Sequence, residues 1–246
     1  MKFSDTSSKT GLIQDCETLL GMEDGAISGN ATLLKVFTRM INVWYRRVNS
    51  WIWNVTGTWE YDDSNWTDLP IATTDLITTP GSEQQKYVIP STAQKVDRVE
   101  VKDSDGDYQL LTPIDKSQIK TSAMSEFQET AGMPIRYDLL GRVLVLYPKP
   151  KDDSVTKSAG LKLYFSRDID EFVSTDTTKE PGFVRSFHRI LSLGAAYDYA
   201  IGYEMNTKAN FLKGQINELV EELQDFYSGR HRDMPARISP KRRNYT

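Results

Sequence analysis

Few residues in this chain are of types that do covalent or metal chemistry, and their spacing keeps them apart. The two histidines are His188, inside a stretch that is apolar almost all round, and His231, inside a basic tail. Neither has a cysteine or histidine at zinc-ligand spacing, so His188 reads as a core or interface residue satisfied by a neighbour. Cys16 is the one cysteine. It excludes an internal disulfide, suits a reducing compartment, and falls on an apolar helix face rather than beside a base. The run Asp103-Ser-Asp-Gly-Asp107 invites calcium. An EF-hand loop, however, needs glycine at its sixth position and glutamate at its twelfth, where this chain has Tyr108 and Ile114. A hairpin turn is the favoured reading. No glycine-rich phosphate loop and no glycine-flanked serine nucleophile occurs. The residues therefore predict no enzyme, no metal and no cofactor.

Binding residues are better represented. The last eighteen positions, 229–246, carry Arg230, Arg232, Arg237, Lys241, Arg242 and Arg243 against Asp233 alone, a balance of +5. Residues 1–228 hold 24 bases against 33 acids, a balance of −9. Guanidinium groups can pair bidentately with a partner's carboxylates, and Pro235 and Pro240 favour an extended arm. The plainer alternative is a solvated terminus, and a nucleic-acid-binding arm is a rival use of the same charges. Glu218, Glu221, Glu222 and Asp225 share one side of a helical pattern. They read as a solvated face or, more sharply, as a negative channel wall past which DNA slides without adhering. Five tryptophans, Trp44, Trp51, Trp53, Trp59 and Trp66, fall within one short stretch. A carbohydrate platform is one use for them. Packing is favoured for Trp44 and Trp51, and subunit interfaces for Trp53, Trp59 and Trp66, since large amphipathic rings are enriched there.

The elements that must position these residues change character along the chain. Residues 11–21 predict a short helix, with Leu12, Ile13, Cys16, Leu19 and Leu20 at helical spacing and Gly21 as its C-terminal cap. Asn30 is an N-cap for a long helix from Ala31 to about Asn54. Its stripe is Leu33, Phe37, Met40, Ile41, Trp44, Val48, Trp51 and Ile52, with Lys35, Arg39, Asn42, Arg46 and Asn49 on other faces. From Gly57 to about Arg167 short strands and turns take over, including hairpins around the Asp103–Asp107 turn and around Gly141, and a strand over Leu161–Phe165. The polar run Lys149–Ala159 predicts a mobile loop. Glu180-Pro-Gly182 opens a pair of helices, Phe183 to about Tyr203 and about Lys208 to Ser228, with Thr207 as N-cap and Gly229 as terminator. Gly194, Ala195, Ala196 and Ala200 are small enough for another helix to approach closely.

At 39% hydrophobic and 26% charged the composition is globular. No run approaches the length of a membrane helix, and no apolar signal core opens the chain. The expected fold is α+β. N-terminal helices and a C-terminal antiparallel helical hairpin form a bundle over 1–56 and 176–228. A small antiparallel β-barrel or sandwich is inserted over 57–175, and 229–246 forms the arm.

Six segments in order carry a family resemblance: Gly11-Leu-Ile-Gln-Asp, the helix around Trp44-Tyr-Arg-Arg, Asp63-Ser-Asn-Trp-Thr-Asp-Leu-Pro-Ile-Ala-Thr-Thr, Arg98-Val-Glu-Val-Lys-Asp, Leu111-Thr-Pro-Ile-Asp, and Gly141 through Leu146-Tyr-Pro-Lys-Pro. Together they resemble the tail tubular protein A-like head-to-tail adaptors of tailed bacteriophages. The resemblance implies a structural virion protein of the neck, assembled in the host cytoplasm. Its copies would form a ring of about twelve, bind the portal above and the tail nozzle or tube below, with tail fibres as further candidate neighbours, and let double-stranded DNA pass without reading its sequence. In related adaptors the C-terminal arm reaches the portal. A carbohydrate-binding virion protein and a nucleic-acid-binding protein remain the alternatives.

Overall fold

The computed structural model describes residues 1–57, 71–78, 83–114 and 130–230. The chain divides into two compact units: a helical unit of Met1–Asn65 and Ile169–Thr246, and a β unit of Trp66–Asp168. The fold is mixed α+β, with four α-helices among the described residues.

In the helical unit, α1 (Leu12–Leu20) ends on Gly21, whose φ of 67° places it in the left-handed region that favours glycine. The amides of Gly21 and Met22 close back onto Thr18 and Glu17, and Lys208 Nζ donates to the Leu20 carbonyl at 2.6 Å. Glu17 lies buried on α1. Its carboxylate accepts from the amides of Gly25, Ile27 and Ser28 and from the Ser28 hydroxyl, and so fixes the loop that leads to the next helix. That helix, α2 (Ala31–Thr56), is capped by Asn30, whose side-chain oxygen accepts from the amides of Thr32 and Leu33. It runs two residues past the expected end and stops at Gly57, again with positive φ. Asn42 and Asn49, expected on outer faces, are instead buried. Asn42 exchanges two 2.9 Å hydrogen bonds with the Phe172 backbone, a tertiary partner that helical periodicity does not reveal.

The expected helix start at Phe183 also moves. A 3-10 turn spans Arg185–Phe187, and α3 begins at Arg189 (Arg189–Gly202). The Gly182 amide donates to the Tyr45 hydroxyl and the Val184 amide to that of Tyr227, which holds this stretch out of the helix. Helix α3 is buried nearly all round and packs against α1, α2 and α4 (Asn206–Arg230). A Cβ on Gly194 would fall inside the Trp44 indole, so glycine is what lets α2 and α3 close. Helix α4 starts one residue before the expected cap Thr207 and runs through Gly229. That glycine is not in the left-handed conformation that would terminate the helix. Ala209, Leu212, Ile216, Leu223 and Tyr227 form its buried side, while Phe226, expected on that side, is half exposed.

In the β unit, the strands are β1 (Ile71–Thr74), β2 (Lys86–Val88), β3 (Ala93–Lys102), β4 (Tyr108–Leu110), β5 (Thr112–Pro113), β6 (Ala131–Gly132), β7 (Arg136–Leu140), β8 (Val143–Tyr147), β9 (Lys149–Pro150) and β10 (Leu161–Arg167). One sheet has the order β1-β10-β3-β4 and another β2-β8-β7-β5, with β6-β9 as a two-stranded ribbon. Both hairpins form: β3 pairs with β4, and β7 with β8, antiparallel. Alternating residues of both large sheets, among them Tyr87, Val99, Val101, Leu144, Leu146, Leu161 and Leu163, fill one apolar core. Two short pairs correct the all-antiparallel expectation. Strands β5 and β7, and β6 and β9, run parallel, because long connections return the chain in its original direction.

The segment Lys149–Ala159 is a second correction. Val155 is buried and bridges to Asp103, the Thr156 amide bonds the Lys102 and Asp103 carbonyls, and Leu76 donates to the Lys157 carbonyl. Its polar sequence conceals an anchored loop, since backbone groups, one valine and the side chains of Asp152 and Thr156, which bond Thr78 and the Asp103 carbonyl, do the anchoring.

Candidate functional site

The aspartate-rich turn uses its own carboxylate. Asp103 Oδ1 accepts from the amides of Asp105 and Asp107 at 3.0 and 2.9 Å, and Oδ2 accepts from Gln109 Nε2 at 2.8 Å. The Gln109 bond first, and then the Asp107 amide, hold the Asp103 carboxyl below its ordinary range. The Asp103 carboxylate, one of the three in this run, is thus spent on closing the β3–β4 hairpin. Cys16 is fully buried, and burial pushes its thiol well up, which suppresses the thiolate a nucleophile needs.

His188 is a core residue at the start of α3. Its Nδ1 lies 2.6 Å from the Met1 amine and its Nε2 2.8 Å from the Phe183 carbonyl. An ammonium can only donate, so Nδ1 accepts and Nε2 carries the proton. Burial, its largest cause, lowers the His188 pKa to about 4. The ring is a neutral spacer holding the N-terminus on the turn before α3.

The described tryptophans also belong to the core. Trp44 is buried, donates from Nε1 to Asp198 at 2.8 Å, lies edge-on to Trp51 with ring centroids 6.3 Å apart, and carries the Arg47 guanidinium 4.5 Å above its ring. Trp53 is half-buried against the same cluster. Trp51 is likewise partly buried against it. Trp59 and Trp66 lie outside the described residues, as do Arg232, Arg237, Lys241, Arg242 and Arg243 of the arm. Arg230 is the last residue of α4.

What the helical unit does assemble is two outward charged faces. On α4, Glu218, Glu221, Glu222 and Asp225 are exposed and pair with no base among the described residues. Residues 214–229 contain no base at all. Phe211, 64% exposed, and Gly214, whose Cβ would meet open space, continue the same side of the helix. On α2, Lys35, Arg39 and Arg46 stand at intervals of four and seven residues on the side away from the core. The 26 residues of α2 include no acid. Arg46 reaches Glu171, an exposed pair, whereas Lys35 and Arg39 pair with no acid among the described residues. Sequence reasoning found the acids but passed over this basic stripe. The available signal was the missing acid in α2, which an argument fixed on the apolar face does not weigh.

No helix among the described residues is long and apolar enough to cross a membrane. No curated protein matches the chain. A family model does, over residues 11–240, and its description is SU10 adaptor protein. The match takes in both units and the first part of the arm. The chain belongs to the SU10 adaptor protein family, a family of phage structural adaptors.

Proposed function

We propose that this protein is a head-to-tail connector of the virion neck, similar to the tail tubular protein A-like adaptors. Copies form a closed ring that docks on the portal, prolongs the DNA channel and carries the tail nozzle or tube below. The observation that carries the reading is the adaptor family match over residues 11–240, joined to a body of −9 that ends in an arm of +5. The arm is the portal anchor: Arg230, Arg232, Arg237, Lys241, Arg242 and Arg243 meet carboxylates on the portal. Trp53, Trp59 and Trp66, around the exit from α2, contribute to contacts between subunits.

Cosedimentation with purified portal rings tests the docking. Full-length chain is expected to pellet with the portal, and a chain ending at Gly229 is expected to stay in the supernatant. Equal pelleting of both removes the arm as anchor, and pelleting of neither, on intact portal rings, removes the connector reading.

A further inference from the structure

Two faces of one unit that form no ion pair with each other among the described residues, yet match in charge and length, call for a second copy. Helices α2 and α4 bury their apolar sides in a common core. Their outer stripes therefore each point away from that core. Lys35 to Arg46 spans about 16 Å of helix and Phe211 to Asp225 about 21 Å, from the rise per residue. One stripe carries only bases and the other only acids, and among the described residues neither is neutralised apart from the exposed Arg46–Glu171 pair.

The neutral parts of the stripes also correspond. A solvent-facing glycine in mid-helix is less stable than alanine there. Nothing within 4 Å of a Gly214 Cβ gives an internal reason for it. Beside it Phe211 is exposed, and on α2 the half-exposed Val36 and Val43 flank the bases. A backbone that lacks a side chain at Gly214 lets a second helix come close, with Phe211 covering the two valines and the acids reaching the bases.

We infer that the α2 stripe of one copy, Lys35, Arg39 and Arg46 with Val36 and Val43, docks on the α4 stripe of a second copy, Phe211, Gly214, Glu218 and Asp225. The contact is heterologous: each copy offers α2 on one side and α4 on the other, so the arrangement propagates and closes as a ring. This assignment rests on the ring reading above and names the faces that make it. It also removes the acids from the DNA channel, where they would face the duplex.

Complementary charge reversal tests it. One variant carries Lys35→Glu with Arg39→Glu, and the other Glu218→Lys with Asp225→Lys. Self-association is followed by sedimentation velocity, for the chain alone and on purified portal rings. Each variant alone is expected to associate on the order of a hundredfold more weakly than wild type, because like charges then face each other. An equimolar mixture is expected to regain wild-type assembly, since both contacts between unlike variants are again complementary. That rescue also shows that both variants fold. Wild-type assembly by either variant alone, or a mixture that stays dissociated, overturns the assignment while leaving the ring intact. A wild-type chain that remains monomeric both alone and on the portal overturns the ring reading and this interface together. If the α2 variant assembles normally but loses salt-sensitive duplex DNA binding, its bases face DNA. If the α4 variant assembles normally but DNA adheres to its ring, the acids line the channel. Either result overturns the docking.

Discussion

At the residue scale, the chain's polar groups act as spacers and fasteners. Gly194 is the tightest case. Adding one methyl drives it into the Trp44 ring, and overpacking of this kind costs about 1–3 kcal/mol. Gly194→Ala is expected to lower the urea midpoint accordingly, with the β unit unaffected. The run of small residues made this close approach legible in the sequence, although which partner it admits was not. His188 gives a pH signature. Its folded pKa of about 4 lies below the usual 6.5, so between those values the unfolded chain binds a proton that the folded one does not. Its contribution is fully present above pH 6.5 and is lost as pH falls through 4. Stability at pH 5 is expected to be about 2 kcal/mol below that at pH 7.5 from this group. Urea titrations of wild type and His188→Gln check this: the difference between the two curves should vanish on acidification.

At the element scale, what the sequence announced was whatever is locally encoded. Asn30 and Gly21 mark helix ends through their own side chain and their own φ, and both hairpins lie between alternating apolar residues. The elements that moved are held by distant partners. Tyr45 and Tyr227 keep residues 182–184 out of the helix, the Phe172 backbone draws Asn42 inward, and Val155 pins a loop of polar composition. Gly214 separates local stability from assembly. Gly214→Ala is expected to stabilise the monomer by about 1 kcal/mol, read as a higher denaturation midpoint at low protein concentration. The larger Gly214→Leu should leave the fold intact, because open space surrounds that position, and yet weaken self-association. A leucine variant that assembles as well as wild type removes close helix approach from the account.

At the scale of the whole molecule, the division of labour is electrostatic. The acidic body, the basic arm and the acid-free α2 give one copy several charged surfaces with different addresses. Assembly through α2 and α4 is expected to weaken as salt screens the contact, the more so because its charges are exposed. The acids of α4 were legible from spacing alone. The partner proposed for them was not, because it belongs to another element, and a contact between copies joins residues that no single chain brings together. The arm was legible as a charge asymmetry, but the residues proposed to receive it lie on a different protein. The central claim is that copies of this chain close into a ring on the portal. Electron microscopy of purified portal rings incubated with the full-length chain tests it most directly. The account predicts a second closed ring stacked coaxially on the portal, with adjacent copies in contact through α2 and α4. Portal particles without that ring, or decorated by isolated copies that do not touch, would contradict it.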